Sequence, residues 1–244
     1  MNGVVPGPTG ADDPGVIAAA AQALDLIPEG ARVGLGTGRA ASVFIRLLGA
    51  RVRAGFRISG VATSRAAADE ARAAGVPLAA SGIDGGLDIT VDGADEVAPN
   101  LDLIKGWGGA LVRERIVAAA SARQVIVVGA EKLVHALGER GALPVEVIPL
   151  AVWLAAKECR ALGLAPTRRI AAGGTDPFVT DNGNHILDCA LLTPLAGALA
   201  ARRLQRSLRG IAGVVDTGLF LGTATQVLVG HRDGHVEWLA RSGR

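Results

Sequence analysis

Short apolar segments alternate with alanine-rich amphipathic segments from residue 16 to about residue 130, and this alternation constrains the fold more than any other feature of the chain. A helix between two strands returns the chain to the edge where the first strand began, so the two strands pair in parallel. Parallel sheets are covered by helices on both faces. The sequence therefore predicts an α/β fold with a mostly parallel sheet flanked by helices. The predicted helices are 16–27, 40–49, 64–75 and 109–121, and the predicted strands are 31–36, 56–62, 76–80, 87–92 and 123–129.

The pattern changes after about residue 143, where a β-α-β-β-α order predicts a smaller α+β, ferredoxin-like domain over residues 143–213. Residues 1–142 plus 214–244 are then predicted to form a Rossmann-like catalytic domain, which the last strands rejoin. The elements predicted after residue 143 are a strand at 145–149, a helix at 150–162, a possible strand at 167–172, a hairpin at 178–190 around Asn182-Gly183, a helix at 194–208, a strand at 214–221 and a hairpin at 225–240 around Asp233-Gly234.

The composition argues against several classes of function. The 25 basic and 23 acidic residues give a formal net charge of +2, and no long basic run is present, so we expect no nucleic-acid partner. No apolar run approaches the ~20 residues that cross a bilayer, so we expect no membrane association. Residues 1–15 lack the features of a signal peptide and predict a loose tail on a cytoplasmic protein. Cys159 and Cys189 fit no metal or redox spacing and are expected to be small buried hydrophobic residues.

The first motif that could carry chemistry is the glycine-rich segment 34–38, at a predicted strand-to-helix junction. Such loops let the backbone approach a ligand, and the following helix N-terminus attracts anions. A dinucleotide site would need a further glycine where Arg39 stands and an acidic residue at the end of the next strand. That strand ends instead in Thr63-Ser64, which favours a phosphate over a ribose. A tight structural turn is the alternative interpretation.

The second motif places three carboxylates, Asp92, Asp95 and Glu96, directly after a predicted strand. The carboxyl ends of parallel strands are where such sheets place their ligand sites. Crowded carboxylates raise one another's pKa, and carboxylates also bind sugar hydroxyls. A metal site is conceivable here, but no histidine or cysteine lies nearby, and none is predicted. An acidic surface turn is the alternative interpretation.

The third motif joins Lys105 and the loop 106–109 to a predicted helix that contains Glu114. A lysine, a glycine-rich loop and a helix N-terminus together suit an anion. The residues three and four positions from Glu114 are all apolar, which predicts burial and a raised pKa, as a general base requires. A structural ion pair with Arg113 or Arg115 is the alternative.

Taken in order, these motifs resemble the ribose 5-phosphate isomerases of the A type. The resemblance covers most of the chain from residue 31 to residue 221, and the pair VDGADE with KGWGGALVRE is its most specific part. The matching segments are VGLGTG (33–38), VATS (61–64), VDGADE (91–96), LIKGWGGALVRERIV (103–117), PVEVIP (144–149) and FVTDNGNHILD (178–188).

The resemblance implies an aldose–ketose isomerase that interconverts ribose 5-phosphate and ribulose 5-phosphate through an enediolate, without metal or cofactor. It implies that Glu114 is the general base, that Asp92 and Asp95 bind hydroxyls, and that Lys105 lies near the developing oxyanion. It also implies a homodimer or homotetramer. The residues that it implies for substrate binding are Thr37, Gly38, Arg39, Ala40, Gly93, Ala94, Gly106, Trp107, Gly108 and Lys132.

The departures from the family pattern fall on the binding side. Arg39 and Ala40 stand where the family usually has two hydroxyl residues, and Arg39 could bind the phosphate or face solvent. Trp107 takes a position often held by a small residue, where it could narrow the site or stack on the sugar. A paralogous isomerase for another sugar phosphate and a non-catalytic sugar-phosphate sensor therefore stay open as alternatives.

Overall fold

The computed structural model describes residues 13–80 and 82–241, which form two compact units. Of the described residues, the parallel-sheet unit takes in those from 13 to 94, residues 113–133 and residues 222–241. The antiparallel unit takes in residues 95–112 and 134–221. The tail predicted from the sequence falls largely on residues 1–12, which lie outside the described residues.

The helices within the described residues are α1 (Pro14–Leu24), α2 (Arg39–Arg53), α3 (Arg65–Ala74), α4 (Leu111–Ala119), α5 (Val152–Ala161) and α6 (Gly197–Arg209), with short 3-10 helices at Ala130–Lys132 and Pro149–Ala151. The strands are β1 (Arg32–Leu35), β2 (Ser59–Ala62), β3 (Ile89–Asp92), β4 (Glu96–Val97), β5 (Leu103–Ile104), β6 (Gln124–Gly129), β7 (Leu143–Val147), β8 (Leu164–Arg168), β9 (His185–Leu191), β10 (Val214–Thr217), β11 (Leu219–Phe220), β12 (Gln226–Gly230) and β13 (Val236–Ala240).

The parallel-sheet unit confirms the predicted α/β class. Its sheet has the order β13-β12-β6-β3-β1-β2, and every neighbouring pair is parallel except β12 with β13. Helix α3 begins and ends where the sequence predicts: Ser64 accepts a hydrogen bond from the Ala67 N–H at its start, and Gly75 ends the helix with a φ of 80°. Strands β3 and β6 are buried along their whole length, as expected for the middle of a parallel sheet.

The antiparallel unit has the ferredoxin-like arrangement that the sequence predicts. Its four-stranded sheet has the order β10-β7-β9-β8 with antiparallel pairing throughout. Helix α5 connects β7 to β8, and α6 connects β9 to β10, so each helix joins two strands that flank a third. A second, three-stranded sheet of order β11-β5-β4 belongs to the same unit.

The predicted return of residues 214–221 to the parallel sheet is wrong. Strand β10 pairs with β7, and β11 pairs with β5, because this stretch completes both sheets of the antiparallel unit. The predicted hairpin at 225–240 does join the parallel sheet, through β12 and β13. The two units consequently take up different stretches of the chain from the two predicted domains, 1–142 plus 214–244 and 143–213.

The predicted hairpin at 178–190 is also wrong in its first arm, since only β9 is a strand. The turn that precedes β9 is held by a buried carboxylate instead of a strand ladder. Glu146 accepts hydrogen bonds from the side chains of Thr180 at 3.0 Å, Asn182 at 3.0 Å and Asn184 at 2.8 Å.

Smaller corrections concern two other strands. The predicted strand at 76–80 reduces to a single bridge between Gly60 and Leu78. The possible strand at 167–172 begins earlier, as β8, because Gly163 with a φ of 79° turns the chain directly out of α5. No helix among the described residues is long and apolar enough to span a membrane.

Cys159 and Cys189 are both fully buried in the apolar core of the antiparallel unit, as predicted. A hydrogen bond with Cys159 and burial raise the pKa of the Cys189 thiol well above its usual range. Both features favour the neutral thiol and agree with a packing role.

The Glu146 carboxylate gives a test of the turn. In Glu146→Ala the hydroxyl and two amides lose their acceptor, and the free energy of unfolding should fall by about 1–3 kcal/mol. Urea unfolding measures the change. Asp176→Ala, in an exposed turn of the same unit, is the control and should stay within about 0.5 kcal/mol of wild type. An equal effect of the two substitutions would contradict the role given to Glu146.

Candidate active site

Residues singled out from the sequence follow four neighbouring strands of the parallel sheet. Strands β6, β3, β1 and β2 are adjacent and parallel, so their carboxyl ends lie at one edge. The residues at or just after these ends are Lys132, Asp92, Gly36–Gly38 and Thr63-Ser64, respectively. This edge is where open α/β sheets bind ligands.

Asp92 ends β3 and is completely buried. Its Oδ1 accepts hydrogen bonds from the backbone N–H of Gly93 at 2.7 Å and of Thr37 at 3.2 Å. Gly36 lies so close that a Cβ there would overlap the carboxylate. The glycine-rich segment after β1 is therefore shaped around Asp92, which explains why glycine is needed at position 36.

The hydroxyl residues that follow β1 and β2 contact each other. Thr37 Oγ1 lies 2.7 Å from Thr63 Oγ1 and donates a hydrogen bond to Ser64 Oγ at 2.8 Å. Helix α2 then begins with Gly38, whose φ is 101°, in the cap position and no side-chain cap. Arg39, the first residue of α2, is exposed. An uncapped helix N-terminus beside hydroxyl groups and a guanidinium has the chemistry of an anion site.

Apart from Glu114, the remaining residues of this unit that the sequence predicts to be in the site are Gly93, Ala94 and Lys132. Gly93 lies close to the start of α2, since a Cβ on it would be 3.8 Å from Ala40 Cβ. Lys132 ends the short 3-10 helix that follows β6 and is half-buried, as are Gly93 and Ala94.

Glu114 lies in the first turn of α4 and is 4 % exposed. The predicted burial of this side chain is confirmed. Because α4 leads into β6 and helices run antiparallel to the strands they join, the helix begins at the edge where the strands end. Burial makes a carboxylate a stronger base, and a nearby helix N-terminus stabilises negative charge, so this position suits a general base.

Asp95 and Lys105 belong to the antiparallel unit, where they flank the β4–β5 pair. Lys105 is only 2 % exposed, and its Nζ lies 5.7 Å from the centre of the Phe220 ring. Its backbone N–H donates to the Gly218 carbonyl at 2.9 Å. Asp95 is half-buried, and its Oδ2 accepts a hydrogen bond from the Trp107 N–H at 2.9 Å. A positive charge in such surroundings is only weakly screened by water.

The loop that follows Lys105 contains Gly106, Trp107 and Gly108. Gly106 has a φ of 107°, and Gly108 is exposed. The Trp107 indole packs on Gly141, where a Cβ would overlap the ring, and its Nε1 donates to the Ala142 carbonyl at 3.0 Å. The indole therefore braces the loop against the segment 141–142.

Glu96 has a structural role that its position in the sequence does not indicate. It is fully buried, and its carboxylate accepts hydrogen bonds from the backbone N–H groups of Gly138 at 2.5 Å, Arg140 at 2.7 Å and Gly141 at 3.2 Å. Burial raises the pKa of Glu96, while these hydrogen bonds act in the opposite direction. Its position beside Asp95 favours a role in the site. The glycines at 138 and 141 are the only feature of the sequence that points to the backbone groups it binds.

Comparison with known proteins identifies the family. The family model for ribose 5-phosphate isomerase A (phosphoriboisomerase A) matches residues 59–234. Ribose-5-phosphate isomerase A of Deinococcus radiodurans is 44% identical over 219 residues, which cover 88% of this chain and 93% of that protein. The chain belongs to the ribose 5-phosphate isomerase A family. The Roseiflexus sp. relative of the same name is 45% identical over 93% of this chain and 96% of its own. The chain is therefore an enzyme, an isomerase by family.

Solved structures of ribose 5-phosphate isomerases share the fold. The Methanocaldococcus jannaschii protein superposes with a TM-score of 0.85 at 36% identity, covering 92% of this chain and 97% of that one. A D-ribose-5-phosphate isomerase in complex with phospho-erythronic acid superposes with a TM-score of 0.87 at 35% identity, covering 93% of this chain and 97% of that one. These agreements extend over both units of the chain.

The close approach of Gly36 to Asp92 gives a test of this edge of the isomerase. In Gly36→Ala the added methyl group should displace the Asp92 carboxylate, and a displacement of about 1 Å at a site can cost about 10²-fold in rate. Steady-state kinetics of isomerisation measure the loss. Gly174→Ala is the matched control, because the nearest atoms to a Cβ there lie 3.9 Å away or further. Full activity of Gly36→Ala would contradict the proposed importance of this contact.

The raised pKa of Glu96 predicts a specific pH dependence of stability. The folded state holds the proton at a pH where the unfolded chain, with an ordinary value of 4.5, has released it. The stability associated with the proton is present below pH 4.5 and is lost as the pH rises through the folded-state pKa. Wild type should therefore lose free energy of unfolding relative to Glu96→Gln over that window, by at most about 1.4 kcal/mol per pH unit. Urea unfolding of both proteins across the window measures the difference, and parallel curves would contradict the shift.

Proposed function

We propose that this protein interconverts ribose 5-phosphate and ribulose 5-phosphate through an enediolate, with Glu114 as the general base that moves a proton between C1 and C2. The observation that carries the proposal is a nearly fully buried glutamate in the first turn of α4, in a chain of the ribose 5-phosphate isomerase A family. Shielding from water keeps the carboxylate basic and prevents solvent from diverting the intermediate.

Asp92 and Asp95 bind the sugar hydroxyls in this proposal and exchange protons with them. The backbone N–H groups of Thr37 and Gly93 fix Asp92, and the Trp107 N–H binds Asp95. Carboxylates held in this way need little rearrangement when a hydroxyl binds, which lowers the entropy cost of orienting the substrate.

Lys105 supplies the positive charge for the oxygen on which negative charge develops. An enediolate carries that charge on the oxygens of C1 and C2, and a fixed cation in a site without water stabilises it more than the neutral substrate. The 2 % exposure of Lys105 supports this role, since a lysine in open solvent would be screened.

The phosphate is assigned to Thr37–Ala40 and Lys132. The uncapped N-terminus of α2 and the exposed Arg39 suit a dianion. In this assignment Arg39 replaces hydroxyl donors by a guanidinium that can bind two phosphate oxygens at once. Residues 93–94 and the 106–108 loop are assigned to the remainder of the sugar. The proposal needs no metal or cofactor, and we propose a cytoplasmic homodimer or homotetramer.

Replacement of the proposed base is the most direct mutational test. Glu114→Gln keeps the shape of the side chain but cannot accept the proton, so kcat should fall by about 10²–10⁴-fold with little change in KM. Stopped-flow or coupled assays of ribulose 5-phosphate formation measure it. Glu237→Gln on the edge strand β13 is the control and should match wild type. A Glu114→Gln enzyme with near-normal kcat would exclude Glu114 as the base.

The substrate is tested by assaying wild type against ribose 5-phosphate, other pentose and tetrose phosphates, and free ribose. We expect the highest kcat/KM on ribose 5-phosphate and almost none on free ribose, because phosphate binding energy contributes to the transition state. A preference for another phosphorylated sugar would indicate a paralogous isomerase. Binding of ribose 5-phosphate without turnover would indicate a sensor domain and overturn the proposal.

A further inference from the structure

Arg169, the residue directly after β8, connects the sheet of the antiparallel unit to the loop that follows Lys105. Its Nη1 donates to the carbonyl oxygens of Gly106 and Trp107, both at 3.0 Å. Its Nε donates to Asp188 Oδ2 at 2.9 Å, and its Nη2 donates to Asp188 Oδ1. One planar guanidinium thus joins a carboxylate in the sheet to two successive carbonyls in the loop.

The carboxylate that holds Arg169 is itself in a fixed position. Asp188 lies in β9, where it is paired with Pro144 of β7 on one side and Thr167 of β8 on the other. The side chains of Arg169 and Asp188 are 11% and 24% exposed, so water screens the ion pair only partly. A two-pronged arginine–carboxylate pair fixes both the position and the plane of the guanidinium.

The loop needs such support because of its own sequence. Gly106 and Gly109 have φ angles of 107° and 82°, a region that favours glycine, and glycine loses more conformational entropy on ordering than any other residue. Arg169 acts on both ends of the loop. It binds the Gly106 carbonyl directly, and its guanidinium lies 5.7 Å from the centre of the Phe178 ring, which packs so closely on Gly109 that a Cβ there would collide with it.

We infer that Arg169, held by Asp188, is a positioning residue that keeps the 106–109 loop in the conformation needed for isomerisation. The inference rests on the proposed function of that loop and of the adjacent Lys105. Arg169 acts through the two carbonyls and makes no contact with substrate in this account. The planar set of N–H donors in the guanidinium is essential, because the ammonium group of a lysine cannot bind the carboxylate and both carbonyls in one plane.

The first test compares Arg169→Gln, Arg169→Lys and Asp188→Asn in the full-length protein. All three should lower kcat, by up to about 10²-fold for Arg169→Gln, because a displacement of about 1 Å in the groups that the loop positions has that cost. Lysine should not restore the rate. The double variant Arg169→Gln/Asp188→Asn should lose about as much as Arg169→Gln alone, since the two residues act as one unit.

Two control variants separate positioning from general stability. Arg168→Gln changes the exposed neighbour of Arg169 and should leave kcat and KM unchanged. Leu204→Ala removes apolar packing from α6 and should lower the Tm without altering the contacts of Arg169 with Asp188 and the loop. If Leu204→Ala, at a matched loss of Tm, lowers kcat as much as Arg169→Gln, or if Arg169→Gln stays within about twofold of wild type, the inference is overturned.

A readout that does not depend on activity uses the Trp107 indole. In a Trp153→Phe/Trp238→Phe background Trp107 is the only tryptophan of the chain. Adding Arg169→Gln should increase acrylamide quenching of its emission, because the loop leaves Gly141, whereas Arg168→Gln should not. Unchanged quenching would overturn the inference that Arg169 holds the loop, even if the enzyme is active. An inactive wild type would instead refute the proposed function, and the quenching result would still decide whether Arg169 holds the loop.

Discussion

The removal of charged side chains from water is the constraint on which the rest of this structure depends. Asp92, Glu114 and Lys105 are almost completely buried, and each such charge costs several kcal/mol unless dipoles or opposite charges compensate for it. The compensation is visible at Asp92, where one carboxylate oxygen accepts hydrogen bonds from the Thr37 N–H, in the glycine-rich segment after β1, and from the Gly93 N–H. The same burial makes these groups useful, since electrostatic interactions strengthen as water is excluded.

The parallel sheet could be predicted because the local sequence signals and the order of the elements along the chain indicate the same fold. Apolar strands, alanine-rich helices and terminal signals such as Ser64 and Gly75 all specify the same elements. The site edge followed from that prediction, because the carboxyl ends of parallel strands necessarily meet. The burial of Glu114 was predictable from helical spacing alone, since its neighbours on the helix are apolar.

The errors arise where distant contacts override local pattern. Residues 214–221 have the apolar character of a strand, but that character does not specify which sheet they join; pairing with β7 and β5 decides it. The Asn182-Gly183 turn predicted a hairpin, yet Glu146, far away in the sequence, binds the turn side chains and replaces the first arm. Arg169 is a further case, because nothing in its local sequence shows that it reaches the carbonyls of Gly106 and Trp107.

The central claim is that a shielded carboxylate carries a proton between adjacent sugar carbons. Isomerisation of ribose 5-phosphate in deuterium oxide, followed by proton NMR, tests it most directly. A proton transfer through an enediolate predicts that deuterium enters C1 of ribulose 5-phosphate and, at equilibrium, C2 of ribose 5-phosphate. Neither position should take up deuterium when Glu114 is replaced by glutamine. Deuterium uptake by Glu114→Gln at the wild-type rate would contradict the account, because the proton would then be transferred without this carboxylate.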